Sequence, residues 1–124
     1  MRERKFKYIL KAKDGEITTK IFTYEQVYSG MARLTVMQSN AEVVAVAEWT
    51  GRTDKNRREV YEKDALKTIL EDYDNLEEFV YVSWDETGSS WIVCDSDGRF
   101  IDILYLFKNG DFEVVGNVWQ GVGE

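Results

Sequence analysis

The chain has 124 residues, a mass of 14.5 kDa and a formal charge of −7, with one cysteine and no histidine or proline. This length suits one domain, 1–124, and 14% aromatic residues argue against intrinsic disorder. Without histidine the commonest general base and metal ligand are missing, and one cysteine cannot form an internal disulfide or a zinc site, so we expect a non-enzyme without cofactors.

The sequence also bears on location. No apolar run approaches the roughly 18 residues that cross a bilayer, and the start, Met1–Lys7, lacks the apolar stretch of a secretory signal. We therefore expect a cytoplasmic protein with no membrane partner.

Charge is distributed unevenly along the chain. Residues 1–67 carry a formal charge of +4, and residues 68–124 carry −11. Such polarity could orient association between copies or steer a charged partner to one half, although a solvated surface without a partner is the alternative.

The N-terminal half is predicted to be mainly β. Strands over 4–11 and 16–22 flank Asp14-Gly15, a dipeptide typical of tight hairpins. A short helix is predicted over Thr23–Gly30, because a capping threonine is followed three residues later by glutamine and the segment ends at glycine. Strands over 31–38 and 42–48 follow, the second apolar on both faces, as in a covered strand.

The middle of the chain is less regular. The polar, charge-dense segment Trp49–Asp64 lies between two apolar regions and is predicted to be an ordered loop. In residues 60–76, apolar side chains recur at helical spacing, so periodicity alone favours a helix there.

The C-terminal half contains four β-rich runs, 79–84, 91–94, 100–107 and 111–119, separated by turn-forming residues. They predict an antiparallel meander that forms a small barrel or a strongly bent sheet. The fold class is therefore mostly β, with α+β as the alternative and one or two short helices. The inward-facing residues would be Val80, Val82, Trp84, Trp91, Val93, Ile101, Ile103, Tyr105, Val114 and Val118.

Three separated stretches resemble the YopX-like family of small phage and prophage proteins. They are the opening Met1–Lys7, the 49–64 segment with its Thr50-Gly51, Asp54-Lys-Asn56 and Val60-Tyr-Glu-x-Asp64 pattern, and the end from Asp95 to Val118. The resemblance implies a phage, prophage or mobile-element origin, a β-rich fold and possible homo-oligomerisation, and it favours strand over helix for 60–76. It supplies no catalytic residues.

Self-association is suggested by the run from Phe100 to Phe107, which is apolar on both faces. A one-sided sheet cannot bury both, so another element or a second subunit must cover one face. The candidate oligomer contact consists of Phe100, Leu104 and Leu106.

Nucleic acid is a second possible partner. Arg52, Lys55, Arg57 and Arg58 form a candidate binding loop, and a further basic cluster comprises Arg2, Arg4, Lys5 and Lys7. A solvated loop held by its own salt links is the alternative, and a sequence pI of about 4.7 is unusual for a nucleic-acid-binding domain. The acidic second half could instead mimic DNA and bind a host protein.

Chemical motifs are weak. Neighbouring acids at Asp72/Asp74 and Glu77/Glu78 are expected to be solvated turns rather than an acid–base pair. Asp95-x-Asp97-Gly98 predicts a hairpin turn, since a calcium loop needs more ligands and a later glycine. Cys94 lies in an apolar run that predicts an inert, buried thiol.

Overall fold

The structure is a computed structural model that describes residues 3–68, 79–104 and 109–122. It contains two antiparallel sheets and two helices, so the prediction of a mostly β fold is confirmed. The chain divides into two compact units, unit 1 up to Gly51 and unit 2 from Arg52 onward. The elements are β1 Lys5–Lys11, β2 Ile17–Thr23, α1 Tyr24–Tyr28, α2 Met31–Ser39, β3 Glu42–Thr53, β4 Glu59–Tyr61, β5 Asp64–Thr68, β6 Val80–Asp85, β7 Ser90–Cys94, β8 Phe100–Ile103, β9 Phe112–Asn117 and β10 Gly121–Val122, with a 3-10 turn at Asn109–Asp111.

Unit 1 starts with the predicted hairpin. Strands β1 and β2 pair from Lys5 opposite Thr23 to Lys11 opposite Ile17, and Gly15 takes a φ of 89° in the turn between them. The predicted capping box is also present at α1, where the Thr23 hydroxyl accepts from the Gln26 N–H and the Gln26 side chain accepts from the Thr23 N–H. These short-range features follow directly from the local sequence.

The strand predicted over 31–38 is wrong, because these residues form α2. Gly30 has a φ of 87°, which lets the chain turn from α1 directly into a second helix. Ala32 and Val36, one helical turn apart, are buried in a cluster with Leu10 and Phe22. Because a helix places both side chains on the same buried face, the segment forms a helix instead of the predicted strand.

Strand β3 is longer and more open than predicted. Its first part pairs with β1, with a bulge where Ile9 and Leu10 meet Ala45 and Val43. Val43, Val44 and Val46 are each about two-fifths exposed. The expectation of a strand covered on both faces is therefore wrong.

The 49–64 segment is not a loop. Strand β3 continues to Thr53, a five-residue turn follows, and β4 and β5 complete the segment. Asp64 is buried and its carboxylate accepts from the Tyr61 N–H at 2.8 Å. The polar character that suggested a loop thus reflects turn residues and buried carboxylates within β-structure.

Within residues 60–76, the described part consists of β4 and β5 with a two-residue turn between them. Strands β4 and β5 extend to Thr68, as the family resemblance implied, and 69–76 lie outside the described residues.

The six-stranded sheet of unit 2 has the order β10-β9-β5-β6-β7-β8. Consecutive strands β6, β7 and β8 form the predicted meander, but β9 pairs with β5 instead of β8. Among the described residues this sheet is open, so it is not a closed barrel. The strongly bent sheet was the other prediction, and the open sheet allows it.

The core of unit 2 contains most of the side chains predicted to face inward. Val80, Val82, Val93 and Val114 are buried, with Trp91 and Ile101 packed against them. Trp84 and Val118 are exposed instead, by 40% and 51%. The tryptophan packs edge-on against Trp91 with ring centroids 4.9 Å apart, outside the buried cluster, and Tyr105 lies outside the described residues.

No helix in the described part of the chain is long and apolar enough to span a bilayer. The single domain expected over residues 1–124 stays a prediction.

Candidate interaction surfaces

The basic segment is a tight turn organised by Asp54. One carboxylate oxygen of this buried residue accepts from the N–H groups of Asn56 and Arg58, both at 2.8 Å. The other oxygen accepts from the N–H of Val114 in β9 at 2.9 Å. The turn is closed by a hydrogen bond from the Asp54 N–H to the Arg58 carbonyl. Asp54 therefore fixes both the turn and its attachment to the sheet of unit 2.

The same turn recurs at residues 95–99. Asp95 accepts from the N–H groups of Asp97 and Arg99, and its own N–H donates to the Arg99 carbonyl. The fourth position has positive φ in both turns, 84° at Gly98 and 65° at Arg57. The predicted hairpin turn at 95–98 is present. Arg57 occupies the place of a glycine and bears the strain that a side chain has there.

Arg57→Gly is expected to raise the free energy of unfolding by about 0.5 to 1 kcal/mol, because glycine relieves the left-handed strain and loses only part of that gain to chain entropy. Urea unfolding measures the change. Arg57→Ala removes the same charge and keeps Cβ, so it should give no such gain; equal stabilisation by both variants would assign the effect to charge.

Arg52 is held inside unit 2. Its guanidinium donates to the Leu104 carbonyl at 2.9 Å and lies 5.7 Å from the centre of the Phe112 ring. Burial lowers the pKa of Arg52 below its usual value, although the group remains a cation. Arg52 therefore has its contacts with the residue that follows β8 and with β9.

Two further cations of the candidate loop also have internal contacts. Arg58 donates to the Val114 carbonyl at 3.1 Å, and the Lys55 ammonium lies 3.3 Å from a Glu113 carboxylate oxygen. Arg57 is exposed, and its guanidinium makes no ion pair or hydrogen bond with any residue in 3–68, 79–104 or 109–122. The structure thus places Lys55, Arg57 and Arg58 in one turn after β3, and Arg52 near the end of that strand. Arg52, Lys55 and Arg58 contact other parts of unit 2.

The second basic cluster has contacts within unit 1. Arg4 donates to Glu48 at 2.8 Å, and this hydrogen bond raises the pKa of Arg4. The Lys5 ammonium lies 5.0 Å from the centre of the Trp49 ring. Arg2 lies outside the described residues.

An apolar stripe runs along the outward face of α2 and consists of Met31, Leu34 and Met37, which are 57%, 61% and 63% exposed. These residues lie three apart, so they share the helix face opposite buried Ala32 and Val36. The sequence interpretation missed this stripe because it assigned a strand here. The spacing of three residues was the available signal. We call Met31, Leu34 and Met37 the α2 stripe.

The three residues of the predicted oligomer contact do not share one environment. Phe100 is 60% exposed, whereas Leu104 is fully buried in the core of unit 2, and Leu106 lies outside the described residues. A bulge between Val93 and Cys94 changes the register of β8 and interrupts the alternation on which the prediction rested. The contact itself stays a prediction.

The remaining candidates for chemistry are Cys94, a metal site and the acidic pairs. Cys94 is buried, and burial raises the pKa of its thiol, as expected for an unreactive cysteine. Among the described residues, no group of three or more acidic or cysteine side chains could hold a metal ion. The Asp72/Asp74 and Glu77/Glu78 pairs lie outside them.

Comparison with models of protein families assigns the chain to a family. The model of the family described as YopX protein matches residues 3–121, which run through both units. A search of the curated proteins found no match. Since the family model covers nearly the whole sequence, the chain belongs to the YopX family.

Proposed function

We propose that this protein is a non-enzymatic accessory protein of phage or prophage origin that self-associates and binds other macromolecules in the bacterial cytoplasm. Its membership of the YopX family is consistent with phage association. The observation that carries the proposal is the α2 stripe, because a soluble protein seldom leaves a continuous apolar helix face open to water without a partner.

The occupant we propose for the stripe is the same stripe on a second copy. Met31 and Met37 lie at equal sequence distances on either side of Leu34. In an antiparallel pair related by a two-fold axis, Leu34 would contact the partner's Leu34, and each Met31 would contact the partner's Met37. Arg33 is the one charged residue of α2, so pairing buries little charge. The surface is therefore self-complementary.

The non-enzymatic part of the proposal rests on composition. A chain without histidine and with one cysteine has neither a Ser-His nor a Cys-His nucleophile pair. Paired carboxylates are the one catalytic constellation that the sequence leaves open, and the pairs Asp72/Asp74 and Glu77/Glu78 lie outside the described residues.

The contacts of the basic residues favour a structural role over nucleic-acid binding. Arg52, Lys55 and Arg58 already contact carbonyl or carboxylate oxygens of unit 2, so a phosphate would have to compete with those contacts. Of the four, Arg57 is the one without such a contact to a residue that the structure describes. The acidic DNA-mimic alternative rests on the −11 charge of residues 68–124, many of which lie outside the described residues.

Self-association can be tested by analytical ultracentrifugation. The wild-type chain should sediment as a dimer of the 14.5 kDa protein at tens of micromolar, and Leu34→Glu should be monomeric because it places two carboxylates at the centre of the contact. Thr18→Glu adds the same charge at an exposed position of β2 and should stay dimeric. A monomeric wild type, or a Leu34→Glu variant that still dimerises, would contradict the proposed surface.

A gel-shift titration with single- and double-stranded DNA at low salt separates the alternatives. The proposal expects no shift that depends on Arg57, whereas a shift lost in Arg57→Gly and weakened steeply by salt would favour nucleic-acid binding instead.

A further inference from the structure

A cavity of about 660 Å³ opens in unit 2 between the ends of β6 and β7 and the hairpin of β9 and β10. This volume lies within the range of small-molecule pockets, about 300 to 1,000 Å³. Its walls include Val82, Cys94, Val118 and Val122, and its polar groups include Lys63 and Asp95. The cavity thus combines an apolar wall with few charged groups.

Lys63 is fixed at the edge of this cavity. Its N–H donates to the Val82 carbonyl at 2.8 Å, and its carbonyl accepts from the Val118 N–H at 3.2 Å. Its φ is 67°, a left-handed conformation that favours glycine or asparagine over lysine. A strained backbone position that carries a long cationic side chain into a pocket is a feature associated with binding sites.

The two charged groups in the cavity lining, Lys63 and Asp95, differ in their contacts. One oxygen of Asp95 accepts from the N–H groups of Asp97 and Arg99, which hold this carboxylate in its own turn. Lys63 makes no ion pair with another described residue. A ligand carboxylate would supply the missing counter-charge.

The apolar wall is open to a ligand tail. Val118 and Val122 are 51% and 38% exposed, whereas Val82 behind them is fully buried. An aliphatic chain placed against these valines would remove apolar surface from water.

From this arrangement, we infer that the cavity binds a small amphipathic carboxylate, with the anionic group on the Lys63 ammonium and the aliphatic part against Val118 and Val122. This inference is independent of self-association, since the α2 stripe belongs to unit 1 and the cavity to unit 2.

The test is a titration with sodium octanoate followed by amide NMR shifts of the full-length Leu34→Glu variant, so that the α2 stripe does not contribute. The amides of Val82, Val118 and Gly121 should move and those of α2 should not. Octylammonium chloride, which has the same chain and opposite charge, should cause no such shifts. Shifts spread over α2, or equal binding of octylammonium, would overturn the inference.

Variants at Lys63 locate the anionic contact. Lys63→Gly removes the charge at a position whose φ suits glycine, and Lys63→Gln keeps most of the side-chain length if the glycine variant fails to fold. Each should weaken octanoate binding at least about tenfold, the effect of losing one charge-assisted hydrogen bond. Lys67→Gln, exposed on β5 and outside the cavity lining, should bind like the parent. Undiminished binding in both Lys63 variants would also overturn the inference.

Discussion

Replacement of Asp54 by alanine should lower the free energy of unfolding by about 3 kcal/mol, because three N–H groups lose their acceptor and that of Val114 is buried. Asp95→Ala removes the equivalent turn contacts without a link to β9, so it should cost only about 1 kcal/mol. The difference between the two aspartates measures the contribution of the Val114 hydrogen bond. Urea unfolding followed by tryptophan fluorescence gives both values.

Asp54→Asn refines this experiment. The asparagine amide has one carbonyl oxygen, so it can accept from the turn or from Val114 but cannot replace both carboxylate oxygens. Its cost should therefore lie between those of the wild type and Asp54→Ala. If Asp54→Ala and Asp95→Ala destabilise equally, the bond to Val114 contributes nothing measurable, and the proposed anchoring role of Asp54 is wrong.

Phe112→Ala should cost about 3 to 5 kcal/mol, the usual range for truncating a fully buried aromatic side chain to alanine. The ring is completely buried in the cluster with Val60, Leu66 and Leu104, and Arg52 lies against its face. Removing the ring leaves a cavity and also removes the aromatic face that the Arg52 guanidinium contacts. Since small domains are stable by about 5 to 15 kcal/mol, the variant should be close to unfolding at 37 °C.

Phe112→Leu is the matched control, because it keeps an apolar side chain and should lose about half as much stability. The double variant Arg52→Met with Phe112→Leu tests the contact between the two. A cost for the pair equal to the sum of the single costs would show that the arginine and the ring do not interact. Calorimetric midpoints of all four proteins provide the comparison.

Local features were predictable from the sequence because their chemistry is local. The Asp14-Gly15 hairpin and the Thr23/Gln26 capping box each depend on residues within four positions. The turn at Asp54 has the spacing of the turn at Asp95, and it was missed because Arg57 takes the place of the glycine that marks the other turn. A comparison of the two aspartates and their following Asn or Asp residues would have found it.

Other features depend on distant parts of the chain. The pairing of β5 with β9 joins residues more than 40 positions apart, and the sequence of neither strand indicates which strand it pairs with. Similarly, α2 becomes a helix because Ala32 and Val36 find Leu10 and Phe22, a contact with an earlier hairpin. The cavity at Lys63 also depends on such long-range contacts, so the sequence could not locate it. The α2 stripe was missed for a different reason, because its three-residue spacing was present in the sequence but the segment was assigned to a strand.

The bond between Asp54 and Val114 has a consequence for synthesis of the protein on the ribosome. Unit 1 can complete its hairpin and helices from residues made early, whereas the turn at Asp54 receives its anchor only when residue 114, 60 positions later, has left the exit tunnel. The edge of β5 that pairs with β9 also stays unpaired until β9 has emerged. The chain is therefore most open to misassociation before residue 114 has emerged, and a pause in translation ahead of that point would lengthen this period.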